Sequence, residues 1–252
     1  MLRPRIIPVL LLDDQDLVKT IQFKKPNYIG DPINAVKIYN DLEADELVFL
    51  DINASIENRL IDLDFVRQVG EEANMPFSVG GGIKSLEDIR SIISAGAERV
   101  IIGSFALKNP DFIREASEEF GTSTISVCID YRKNVFRKTK VYSSRGKKES
   151  KYSPIDFAKI IQEKGAGEII IQSIKKDGTM SGYDIDFISE VSKSLKIPII
   201  ALGGANNYSN LKKCFDDGYV NGVAAGSLFV YQGVHRGVLI NYPENKLSIF
   251  SK

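Results

Sequence analysis

The sequence is short of the residues that build several common kinds of site. One histidine, His235, occurs in 252 residues, so a Ser-His-Asp or Cys-His arrangement has only that residue to use, and a site of several histidines around a metal is excluded. His235 lies near the end and reads as structural or solvent-facing; no metal and no cofactor are expected. The only cysteines, Cys128 and Cys214, stand far apart inside apolar stretches. They suit buried free thiols in a reducing compartment better than a disulfide frame, so a cytoplasmic location is expected. An excess of either charge is also missing: 33 Lys and Arg face 33 Asp and Glu. That balance removes the electrostatic reason to expect nucleic acid or an anionic membrane as partner. The one long apolar run near the start, Ile6 to Leu12, is too short for a membrane span and meets Asp13 and Asp14 at once, unlike a signal peptide.

Against these absences stand short runs rich in Val, Ile and Leu. They are Arg5 to Leu12, Glu46 to Ile52, Pro76 to Val79, Arg99 to Gly103, Thr124 to Asp130, Glu168 to Ser173, Ile197 to Ala201 and Asn221 to Ala225. Runs without polar alternation indicate strands covered on both faces, hence a parallel sheet with crossover helices. The intervening segments have helical periodicity, as in Ser85 to Ala95, where Leu86, Ile89, Ile92 and Ile93 share a face and Gly96 is the stop. Eight such units in a chain of this length predict one (βα)8 TIM barrel over residues 1–252, an α/β fold, rather than an open doubly wound sheet. A repeat agrees with closure: Pro76-Phe-Ser-Val-Gly-Gly-Gly82 pairs with Pro198-Ile-Ile-Ala-Leu-Gly-Gly204 at a spacing of 122, and Gly103-Ser104 with Gly226-Ser227 at 123. It predicts two duplicated half-barrels.

In a barrel the loops after the strands form the working face, and glycine there lets backbone N–H groups approach an anion. Gly80-Gly81-Gly82 with Gly103-Ser104 make one candidate phosphate cradle. Asp177-Gly178-Thr179, Gly203-Gly204 and Gly226-Ser227 make another. Tight-turn geometry is the alternative for any single pair. Asp51 and Asp130 close apolar runs where a core position would be hydrophobic, so both are expected to face a ligand, with capping of the next element as the alternative. Asp130 is the candidate acid or base, and Lys19 is placed with Asp51 in the ligand pocket. The segment Arg132 to Lys151 carries nine basic residues and one acid; it is either a solvated hairpin or a loop folding over an anionic ligand. At the opposite pole Arg5, Glu46, Arg99 and Glu168 open four strands, two of each sign. They need partners there, either as an ion-pair plug or as a gate for something small.

Five stretches together carry a resemblance over nearly the whole chain. They are Asp45-Glu-Leu-Val-Phe-Leu-Asp-Ile-Asn-Ala-Ser55, Ser78-Val-Gly-Gly-Gly-Ile83, Gly165-Ala-Gly-Glu168, Asp177-Gly-Thr-Met-Ser-Gly-Tyr-Asp184 and Gly203-Gly-Ala205. The chain resembles the cyclase subunits of imidazole glycerol phosphate synthase. The resemblance implies two phosphate sites, at Gly82 and Ser104 and at Asp177, Gly178, Gly204, Gly226 and Ser227. It implies a class I glutaminase subunit docked at the strand-start pole, sending ammonia through a gate at Arg5, Glu46, Arg99 and Glu168. It also implies two catalytic aspartates, of which Asp130 matches the second while Leu11 holds the place of the first. Asp13, two residues on, is a possible substitute acid or base, since strand periodicity would let it face the same side. Gly103 stands where the family has asparagine, Lys175 where it has an acid and Leu202 where it has a small hydroxyl residue. The tail Gly237-Val-Leu-Ile-Asn-Tyr-Pro243 resembles a branch associated with amidation of bacterial surface sugars, in which a third enzyme takes the ammonia. The expectation is therefore a synthase subunit handling glutamine-derived ammonia and a phosphorylated ligand, in surface-sugar amidination. The alternatives are an authentic histidine-pathway cyclase and a catalytically silent activator of the glutaminase.

Overall fold

The computed structural model describes residues 4–250. Eight parallel strands close on themselves: β1 (Arg5–Asp13), β2 (Leu47–Asp51), β3 (Phe77–Gly80), β4 (Arg99–Ile102), β5 (Ile125–Lys133), β6 (Glu168–Ser173), β7 (Ile199–Leu202) and β8 (Gly222–Ala225). Each pairs with its neighbours in sequence, and β8 pairs with β1 in the register Arg5 opposite Gly222 through Pro8 opposite Ala225, which seals the ring.

The absence of polar alternation has its reason in β1. Ile7, Val9 and Leu11 pack inside the barrel with Val48, Ile101, Ile170 and Ile200. Ile6, Leu10 and Leu12 pack outward into the layer shared with the helices. With a side-chain period of two and both faces dry, every position from Ile6 to Leu12 is apolar.

Several of the helices between the strands begin at side-chain caps. Asp31, Asp62, Ser153 and Asn207 each accept a backbone N–H of the first turn. The predicted helix at Ser85 to Ala95 runs Leu86–Ser94, with Ser85 and Asp88 forming a reciprocal capping box. Strand ends lie within two residues of those expected, with one exception: β5 continues to Lys133 because its last residues pair antiparallel with Thr139–Ser143. That hairpin is one of the two forms expected of the basic segment; a second, with no counterpart in the sequence expectations, follows β1: Asp16–Lys19 folds back on Leu11–Asp13 and pairs with Asn27–Gly30. Both hairpins rise from the C-terminal rim. No helix among the described residues is long and apolar enough to cross a membrane.

Candidate functional site

The strand ends present two adjoining pockets at that rim. One is lined by Leu11, Asp51, Gly80 to Gly82, Gly103, Ser104 and Asp130; the other by Lys19, Asp177, Gly178, Gly203, Gly204, Gly226 and Ser227. Leu11 and Gln172 line both and stand where the two meet. The two glycine-bearing groups separated in sequence by the repeat therefore lie in separate halves of one mouth. Gly82 has φ +73°, and a β-carbon on it would collide with the carbonyl oxygen of Arg59, so the turn itself excludes a side chain there. Gly226 is crowded instead by the Lys19 ammonium and the Val9 carbonyl.

Asp51 is buried and already engaged. Its Oδ1 accepts the N–H groups of Asn53 and Ala54, each at 2.9 Å, and its Oδ2 receives the Arg59 guanidinium at 2.5 Å. It lines the pocket and caps the next turn at once. Asp130 has no cationic neighbour among its hydrogen-bonding partners; Cys128 Sγ lies 3.5 Å from its Oδ1. Burial pushes its pKa up to about 7, the Cys128 contact pulls it down and the Asp177 charge raises it further. A carboxyl that gives up its proton only near neutrality, at a barrel mouth, is equipped to accept or deliver one.

Lys19 is also buried, its Nζ donating to the Val9 carbonyl at 2.5 Å. Desolvation lowers its pKa to about 8, while Asp177 acts in the other direction. Asp177 Oδ2 accepts from Thr20 Oγ1 at 2.8 Å and from the Phe23 N–H at 3.1 Å, which ties the hairpin after β1 to the loop after β6. Asp13 is not brought into either pocket lining. The chain turns at Asp14, with φ +58°, to form the hairpin, and the Asp13 carboxylate accepts from Asn53 Nδ2 at 2.5 Å.

Several lining residues were not singled out from sequence. Gln172, next to last in β6, is a polar residue after an apolar run, the same signal that marked Asp51 and Asp130. Arg145 was hidden within the basic segment; it lines the first pocket and donates to Asn53 Oδ1 at 2.8 Å. Cys128 and Thr20 offered no periodic or positional signal. Among the described residues no group of three or more His, Cys, Asp or Glu side chains is placed to hold a metal ion.

At the other end of the barrel the four charged residues form one connected chain. Glu46 accepts from Arg99 at 3.2 Å and from Arg5 at 2.9 Å, and Arg5 also pairs with Glu168. Ser78 Oγ donates to Glu46 at 3.1 Å and Ser126 Oγ to Glu168 at 3.4 Å, so both buried carboxylates have neutral donors besides their cations.

Comparison with known proteins gives consistent relatives. The family described as "Histidine biosynthesis protein" matches residues 5–236. A Leptospira borgpetersenii protein provisionally named imidazole glycerol phosphate synthase subunit HisF is 47% identical over 244 residues, 96% of each chain. A Pseudomonas aeruginosa protein, provisionally named subunit hisF2 of the same synthase, is 43% identical over 99% of this chain and 100% of its own. The Streptococcus mutans imidazole glycerol phosphate synthase subunit HisF is 40% identical over 92% of each.

Proposed function

The chain belongs to the family of HisF-type imidazole glycerol phosphate synthase subunits, and on that footing we propose that it takes ammonia from a class I glutaminase subunit at the strand-start pole. The ammonia crosses the apolar barrel interior to a mouth that binds a phosphorylated ligand across its two glycine-bearing halves. There it passes to a third enzyme that amidinates a bacterial surface sugar. The observation that carries this reading is the pairing of an intact chain of charges, Arg99, Glu46, Arg5 and Glu168, below with Leu11 between the two pockets above. A leucine cannot move a proton, and Asp13, the nearest carboxylate on the same strand, is turned to Asn53. Loss of one acid-base group costs about 10² to 10⁴ in rate.

Asp130 and its raised pKa favour a second reading, a cyclase that closes the imidazole ring with one carboxylate. Steady-state turnover of the phosphoribulosyl substrate with ammonium separates the two. The amidination reading expects turnover near background in the native chain and a gain of about a hundredfold in Leu11→Asp, at the low end of what a positioned acid-base group contributes. Robust native turnover abolished by Asp130→Asn would instead establish the cyclase and refute amidination.

A further inference from the structure

The basic segment between β5 and the helix Pro154–Glu163 supplies a group that no glycine cradle contains. Its hairpin returns over the mouth, and at the turn Ser144, Arg145 and Gly146 take φ of 53°, 55° and 71° in succession. Two non-glycine residues in the left-handed region are uncommon, and such conformations persist where surrounding contacts fix them. The contacts here are with the first pocket. The Ser144 N–H donates to Ser104 Oγ at 3.2 Å, and Arg145 reaches Asn53 Oδ1 at 2.8 Å and the Lys24 carbonyl at 3.4 Å.

Arg145 is the one cation among the residues that line this pocket, whose lining also includes Asp51 and Asp130. Asp51 is already matched by Arg59, and Asp13 by the Asn53 amide. The guanidinium has five N–H donors, and those not given to Asn53 and Lys24 have no protein acceptor among the described residues. Beside it Gly103 leaves room: a β-carbon there would meet nothing nearer than the Cys128 carbonyl at 3.9 Å. Empty space next to Ser104, with a half-buried arginine over it, is the arrangement that admits a planar bidentate contact to an anion.

We propose that Arg145 completes the Gly82–Ser104 half of the mouth as a specificity residue for a terminal phosphate monoester in its dianionic form. This rests on the reading that this half holds a phosphate. The hairpin thereby does in this chain what a side chain at Gly103 does not, and the charge it adds favours a dianion over a monoanion or a neutral sugar hydroxyl.

The probe is inorganic phosphate, with binding to the full chain followed by calorimetry between pH 5.5 and 8 and the location fixed by phosphate-soaked crystals. In the native chain affinity is expected to rise through the second ionisation of phosphate near neutrality. Arg145→Ala should weaken binding about tenfold at pH 8 and flatten that rise, with density lost beside Ser104 and retained beside Ser227. Arg145→Lys, which keeps the charge without the fork, should fall between. Equal affinity and an equal pH profile in Arg145→Ala, with density still beside Ser104, would overturn the role of Arg145 and leave the phosphate site standing. Absence of phosphate beside Ser104 in the native crystals would overturn both.

Discussion

Asp130 illustrates how a single side chain is set by its place. It ends the inward-facing part of β5, where Cys128 and Gln172 are its neighbours, and among the described residues no lysine or arginine hydrogen-bonds to it. A carboxyl in that setting holds its proton to about pH 7, whereas in the unfolded chain it ionises near pH 4. Between those values the native state binds a proton that the unfolded state has released. The group's favourable contribution is therefore complete below about pH 4 and lost as pH rises through 7. Replacing it with a neutral isostere removes that loss: Asp130→Asn should unfold at higher urea concentration than the native chain at pH 8, by about 1–3 kcal/mol. The difference should vanish by pH 4. Urea titrations at the two pH values check it, and a destabilised Asn variant at pH 8 would show that the carboxylate form is the one the mouth prefers. Leu11 is the converse case. From sequence its identity was a departure from a pattern; in the fold it is an ordinary inward residue of β1, buried with Val9 and Ile7, and its significance comes only from facing both pockets.

At the level of elements, the eight strands and the helical segments between them were legible because each follows from local chemistry repeated along the chain: β-branched runs dry on both faces, and apolar residues at helical spacing between them. The hairpin after β1 was not, and the basic hairpin was legible only as one of two alternatives. The segment Asp16–Gly30 has too few apolar residues in alternation to announce strands, and its shape is fixed from a distance by Asp177, which belongs to the loop after β6. The basic hairpin was visible as charge, but its register depends on pairing with the end of β5. This dependence makes a prediction. Asp177→Ala removes the acceptor of Thr20 Oγ1 and Phe23 N–H, so amides of residues 17–30 should exchange about ten times faster or more, while those of β2 to β5 are unchanged. A uniform change through the barrel would mean that the hairpin and the barrel open together.

Across the whole molecule, the apolar interior separates two poles with different chemistry, and the charged chain lies at the strand-start pole. Its members are not equivalent. Arg5 bridges Glu46 and Glu168, both buried, and Arg5→Ala leaves Glu168 with only the Ser126 hydroxyl. Stranding a buried charge costs about 3–5 kcal/mol. Arg99 lies at one end of the chain, and without it Glu46 still has Arg5 and Ser78. Arg99→Ala should therefore cost about 1–2 kcal/mol, the range for a charged hydrogen bond lost with its partner still satisfied. Urea unfolding at pH 7 distinguishes these, and equal losses would show that the four residues do not form a connected chain. The well-folded Arg99→Ala variant then addresses transfer between poles. On the proposed reading, with the glutaminase and the third enzyme present, the amount of glutamine hydrolysed per molecule of amidinated product should rise severalfold, because ammonia would escape at an entrance that has lost one wall. Amidination supported by added ammonium should stay as in the native complex, since on that reading it bypasses the charged entrance. If both routes fell together, the charged chain would be acting on the mouth through the barrel rather than on passage into it.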